Sequence, residues 1–217
     1  MLIADQDLDE QVRLAYLELE LPNTLITKVD SHREKLKNYH LPTAQHSDRI
    51  GILARSVAEF IGINPSVAFT GGLLHDIGKL DIPLELLETN SITQAQLKKM
   101  EAHTLNGYHI LKEGLSEEAW IALTHHSWQK IPYPIELLPF PTGIRRITEE
   151  FLNNHSRVVS LADHYDSLTR HNDRFKGLEA TSEIDLMIDL NPDKKRLIRK
   201  LYSKGIFTVR EPEMAIS

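Results

Sequence analysis

Along most of the chain, apolar residues recur at three- and four-residue spacing, and no stretch alternates apolar with polar as a half-buried strand would. In HSDRIGILARSVAEFIG, residues His46, Ile50, Leu53, Val57, Phe60 and Ile61 share one helical face. Breakers cut the pattern into pieces. Gly62, Asn64 and Pro65 close this helix, prolines 132, 134, 139 and 141 mark a loop, and Gly205 ends the last periodic run. Residues 8–20 read as a first helix. Thr43 after Pro42, Ser66, and Ser91 or Thr93 read as helix starts, and Ser116 with two glutamates opens another. The expected fold is all-α, a single bundle of about seven to ten helices, with residues 206–217 as a tail.

The apolar faces carry groups that do not belong in a core. His46 heads its stripe. His75 and Asp76 end a helix in GGLLHDIGKLDIP. His103 lies between Met100 and Gly107, His125 and His126 follow Ile121 and Ala122 by four, and Asp163 follows Val159 by four. An ionised aspartate is expensive to bury unless it is paired or coordinates a cation. Several such groups facing one interior are better explained by a shared cation than by separate rescues. The chain has eleven histidines and no cysteine, so a transition-metal site here must be built from imidazole and carboxylate. Asp76 is the natural bridge between two ions, because His75 beside it can bind one while it reaches both. Lys79, one turn on, is placed to meet a phosphate oxygen.

The net charge of −6 argues against broad nucleic-acid or membrane-surface binding. The N-terminal stretch has no basic region followed by a continuous apolar run, and no run approaches the roughly 20 residues that cross a bilayer. A cytoplasmic protein is the expectation, with neither a membrane nor a nucleic-acid partner. The basic run KKRLIRK (194–200) reads as a solvated helix face. His32, His40, His155 and His171 lie in polar stretches and read as surface groups. His109 and His164 sit about 100° round the helix from the ligand faces. Trp128 and Tyr133 suit either stacking on a base or filling space under a loop.

His46, the His75-Asp76 pair and Asp163 stand in the order of the HD superfamily of metal-dependent phosphohydrolases, which the chain resembles. LLHDIGKLDIP, MEAHTLNGYHIL, ALTHHS and RVVSLADHYDSLT extend the resemblance to the HD-GYP branch, whose members are bacterial cyclic-di-GMP phosphodiesterases. The matching stretch runs from about residue 43 to 176. The resemblance implies an HD-type domain over 41–205, preceded by a helical extension at 1–40. It also implies metal ligands His46, His75, Asp76, His103, His125, His126 and Asp163. Two divalent transition-metal ions are expected, with a third as the upper limit. Iron or manganese comes first, with zinc, nickel or magnesium as alternatives. Asp76, Lys79 and Asp166 are the candidate catalytic groups, Asp166 at the edge of the centre. Lys79, Tyr133, Arg174 and Lys176 are the candidate substrate contacts. The implied reaction is hydrolysis of a cyclic dinucleotide or related nucleotide by a hydroxide bridging the ions. The alternatives are a nucleotide phosphomonoesterase, or a signalling module without turnover. A homodimer is the oligomeric form left open. The chain departs from the branch after the paired histidines. HHSWQKIPYP keeps Tyr133 and Pro134 of the Asp-Gly-x-Gly-Tyr-Pro loop and lacks its acidic residue and both glycines.

Overall fold

A computed structural model describes residues 7–89, 91, 93–140, 148–169 and 183–208. Those residues form α1 (Leu8–Glu18), α2 (Asn23–Tyr39), α3 (Leu41–Ile61) and α4 (Pro65–Leu74). A 3₁₀ segment at Ile77–Asp81 follows, then the single turn α5 (Leu84–Leu87), α6 (Gln94–Glu101), α7 (His103–Leu111) and α8 (Ser116–Thr124). The chain continues through α9 (Glu149–Thr169), α10 (Glu183–Leu190), a 3₁₀ turn at Pro192–Lys194 and α11 (Lys195–Ser203). The described residues contain no strand, and the all-α expectation holds. None of the described helices is long and apolar enough to cross a membrane.

Two expected helix starts lie earlier than their sequence signals. Pro65, with its fixed φ, takes the first helical position, so Asn64 becomes the cap and its side chain accepts from the Ser66 N–H at 2.9 Å. The His40 ring caps α3 by accepting from the Thr43 N–H at 3.3 Å. Thr93 does cap α6, reciprocally with Gln96. α3 stops at Gly62, whose φ of 75° only glycine adopts freely.

α4 is the axis of the fold. Val67, Ala68, Phe69, Leu73 and Leu74 are all buried, as expected of a helix apolar all round. On one side α3, α8 and α9 close a core around Ile50, Val57, Trp120, Val159 and Leu161. On the other, Val12, Tyr16, Val29 and Leu36 of α1 and α2 pack with Phe69, Leu73 and Ile77. Residues 7–40 therefore share a core with the other described helices. A buried ion pair locks them down. Arg33 donates from Nε and Nη2 to Asp48 at 2.8 and 2.9 Å, and from Nη1 to Asp30, which also accepts from the Tyr16 hydroxyl. Phe207, at the start of the segment read as a tail, is buried and stacks on Tyr165.

His155 corrects an expectation. Its polar neighbours suggested a surface group, but α9 is enclosed along most of its length. The His155 ring is buried between the Phe151 and Asn64 carbonyls at 2.7 and 3.1 Å. His32 is half-buried and His171 lies outside the described residues.

Candidate metal centre

Two pairs of glycines set where the site forms. A Cβ built on Gly72 would lie 2.7 Å from the Gly51 Cα, so α3 and α4 touch backbone to backbone. That contact carries His46 of α3 toward His75 at the end of α4, with ring centroids 5.3 Å apart. A Cβ on Gly78 would lie 1.9 Å from the His103 carbonyl oxygen and 2.4 Å from the Gly107 nitrogen. The 3₁₀ segment after Asp76 therefore lies directly on the start of α7, which delivers His103. α8 ends on His125 and His126, and the buried face of α9 supplies Asp163.

All seven expected ligands come together, buried or nearly so. Their nitrogen and oxygen atoms fall into three overlapping groups, each within 4.8 Å: His46, His75 and Asp163; His103, His125 and His126; and His75, Asp76 and His125. Asp76 faces both ways. Its Oδ1 lies 3.3 Å from His103 Nε2, while Oδ2 lies 3.4 Å from His75 Nε2 and 3.8 Å from His46 Nε2.

The donors fit a metal on chemical grounds. His75, His103 and His125 place Nδ1 2.8, 2.7 and 2.9 Å from the carbonyl oxygens of Gly72, Met100 and Ala122. Nδ1 must carry the proton to donate there, which leaves each Nε2 lone pair pointing inward, the ligand tautomer. These lone pairs then face other acceptors. His75 Nε2 is buried with no hydrogen-bond partner, and His103 Nε2 lies 3.4 Å from His125 Nε2. A proton between them is disfavoured, because burial holds His103 down to about 4 and lowers His75, His125 and His126 as well. A cation with empty orbitals resolves the conflict.

His46 behaves differently. Burial opposes its charge, but hydrogen bonds to Asp163 and Asp166 prevail and raise it to about 9. Nε2 sits 3.2 Å from Asp163 Oδ1, and Nδ1 sits 2.8 Å from Asp166 Oδ2. Without a metal, the Nε2 proton stands where an ion would. Burial also works against Asp76 and Asp163, yet Lys79 with the neighbouring histidines, and His46, hold them well below the usual carboxylate range.

Asp166 stands behind His46 and outside the three donor groups. Arg49, which the sequence reading passed over, grips it from Nε and Nη2 at 2.8 and 3.0 Å. The only signal in the sequence was an arginine one turn after His46 on the same helix. Lys79 is half-buried at the rim and donates to Asp76 Oδ2 at 2.5 Å. The Tyr133 ring lies 4.4 Å from that of His126 and 6.0 Å from that of His103. Trp128 packs on α9, with the Arg157 guanidinium 5.7 Å from its ring centroid. Arg174 and Lys176 lie outside the described residues.

These pKa directions fix an acid limit for the metal-free protein. The unfolded chain takes up protons at its histidines near pH 6.5, whereas buried His103 resists until about 4. Between those values the unfolded state binds more protons, so stability falls as pH falls. His103 alone contributes about 3 kcal/mol across that window. His46 acts oppositely at the alkaline end: its contribution is complete below its unfolded value and is lost as pH rises through about 9. Urea titrations of chelator-stripped protein at pH 7 and pH 4.5 should show a lower midpoint at pH 4.5, and equal midpoints would contradict it.

Comparison with known proteins follows the same lines. A family model for the HD domain matches residues 43–168. A cyclic di-GMP phosphodiesterase of Pseudomonas aeruginosa is 27% identical over 195 residues, 87% of this chain and 44% of that one. A 3'3'-cGAMP-specific phosphodiesterase of Vibrio cholerae is 24% identical over 135 residues, 59% of this chain and 29% of that one. The chain thus spans less than half the length of these curated relatives. Among solved structures, the HD domain of the L. monocytogenes phosphodiesterase PgpH, in complex with cyclic-di-AMP, matches with a TM-score of 0.48 at 19% identity, over 84% of this chain and 89% of that one.

Proposed function

The chain belongs to the HD domain family, and from that premise we propose that it is a metal-dependent phosphodiesterase acting on a cyclic dinucleotide or a related nucleotide. The observation that carries the reading is Asp76, one carboxylate with an oxygen toward each of two donor groups. In this reading His46, His75 and Asp163 hold one divalent ion. His103, His125 and His126 hold a second, and Asp76 is shared. Iron or manganese suits this mixture of imidazole and carboxylate, with zinc or nickel next; the all-histidine group argues against magnesium. When bound, such ions supply Lewis acidity that acidifies water and offsets charge building on a phosphoryl group.

The chain's own residues do the rest. Asp76 and Asp163 stay ionised and balance the cations. Asp166 accepts the His46 Nδ1–H and fixes that ring, with Arg49 holding Asp166 in turn; it is a positioning residue rather than a catalytic one. Lys79 brings a positive charge to the rim, where a phosphate oxygen of the substrate would meet it. Tyr133, Arg174 and Lys176 are the proposed substrate contacts. The proposed catalytic domain runs from residue 41 to 205, with 1–40 as an N-terminal helical extension whose helices α1 and α2 share its core. A cytoplasmic setting, the absence of nucleic-acid and membrane partners, and a homodimeric form belong to the same proposal.

The altered segment after His126 favours a second reading, a nucleotide phosphomonoesterase. Manganese- or iron-loaded protein assayed on cyclic di-GMP, 3'3'-cGAMP, cyclic di-AMP and a nucleoside monophosphate separates the two. Turnover of at least one cyclic dinucleotide is expected. Turnover of the monophosphate alone would replace the first reading with the second, and metal uptake without any turnover would leave a signalling module.

A further inference from the structure

His126 is the odd member of its group. The rings of His75, His103 and His125 are each oriented by a carbonyl three residues earlier. His126 Nδ1 instead meets the side-chain amide nitrogen of Gln129 at 2.5 Å, and the amide oxygen takes that place when the group turns over. The chain makes this contact by turning back at once. The Ser127 N–H donates to the Thr124 carbonyl at 2.9 Å and the Gln129 N–H to the His126 carbonyl at 3.3 Å. Tyr133 then lays its ring along His126, at 4.4 Å and 31°. His126 is thus held at one ring nitrogen and along one ring face by a single short segment, the one in which this chain departs from the Asp-Gly-x-Gly-Tyr-Pro loop of the branch it resembles.

We propose that Gln129 is a positioning residue for His126, and that SWQKIPYP serves here as a wall of the metal centre. With its amide turned so that the oxygen faces the ring, Gln129 accepts the Nδ1–H and leaves Nε2 free toward His103 and His125. That is the arrangement the carbonyls give the other three histidines. Loss of the acceptor frees the ring to rotate or to change tautomer, and weakens the ion held by His103, His125 and His126 only. The inference rests on the two-ion reading of the centre.

The test is a titration of chelator-stripped, full-length protein with Co²⁺, followed by its visible absorption. Wild type should take up two equivalents. Gln129→Met, similar in size but without an acceptor, should keep one equivalent at unchanged affinity and bind the other 10- to 100-fold more weakly. Gln129→Glu, which restores an acceptor, should bring that affinity back to within about threefold of wild type, an effect a purely structural role would not produce. A Gln129→Met protein that titrates like wild type, or one that loses only thermal stability, overturns the role of Gln129 alone. A wild type that takes up no Co²⁺ overturns the metal reading beneath it.

Discussion

Asp76→Asn is expected to lower kcat/KM by about 10³- to 10⁴-fold, roughly 4–5 kcal/mol of lost transition-state stabilisation. Asparagine keeps the size and the hydrogen-bonding reach of aspartate but loses the charge. It would leave two dipositive ions close together with no shared carboxylate to offset their charge. The Asp76 carboxylate is buried, within 3.3–3.8 Å of three ligand nitrogens, so its charge bears directly on both donor groups. Metal content should fall together with activity, while the circular dichroism of the metal-free protein should stay that of a folded helical bundle. Lys79→Gln provides the contrast. Lys79 touches the same carboxylate from the rim, so its loss should leave metal content intact and reduce turnover by about 10- to 100-fold. If Asp76→Asn kept full metal content and near-normal turnover, Asp76 would not be the shared ligand.

Gly78→Ala is expected to be the most damaging glycine-to-alanine change among the described residues. The new carbon would stand 1.9 Å from the His103 carbonyl oxygen and 2.4 Å from the Gly107 nitrogen. Both are backbone atoms, so the clash can be relieved only by moving the 3₁₀ segment away from α7. The cost should be at least about 3 kcal/mol, toward the upper end of what overpacking produces. For a chain of this length that is a fall in Tm of roughly 6–12 °C. The same movement draws His103 away from Asp76, so the folded fraction should also lose metal affinity. Gly107→Ala is the internal control. Its added carbon would meet the Ala122 side chain at 3.2 Å and the Gly78 nitrogen at 3.4 Å, contacts that need a shift of only a few tenths of an ångström. Its cost should be about 1 kcal/mol. Equal Tm losses for the two variants, by differential scanning calorimetry, would contradict the close approach at Gly78.

The helical bundle was legible because the signal for it is local. A histidine or aspartate in register with an apolar stripe points wherever the stripe points, and His46, His103, His125 and Asp163 all converge for that reason. The order of motifs along the chain did the same for His75 and Asp76. What escaped was set by partners distant in sequence or by the turn chemistry. Arg49 stands three residues after His46 in the sequence, but its meaning depends on Asp166, which lies 117 residues away and on another helix. His155 sits among asparagines, and only the packing of α9 shows that it is enclosed. Gln129 lies in a loop with no periodicity, so nothing in its spacing connects it to the His126 ring. Gly78 is visible as a glycine, while the backbone that forbids a side chain there belongs to α7. The helix caps at His40 and Asn64 lie before their expected positions because a proline at the first or second helical residue moves the boundary back.

The most direct test is the metal content of anaerobically purified protein, measured by elemental analysis, with anomalous diffraction to place each ion. Two transition-metal ions per chain are expected, one beside His46, His75 and Asp163, the other beside His103, His125 and His126, with Asp76 touching both. A protein that purifies without bound metal, takes up none when iron or manganese is supplied, and is unchanged by His75→Ala would contradict the two-ion centre.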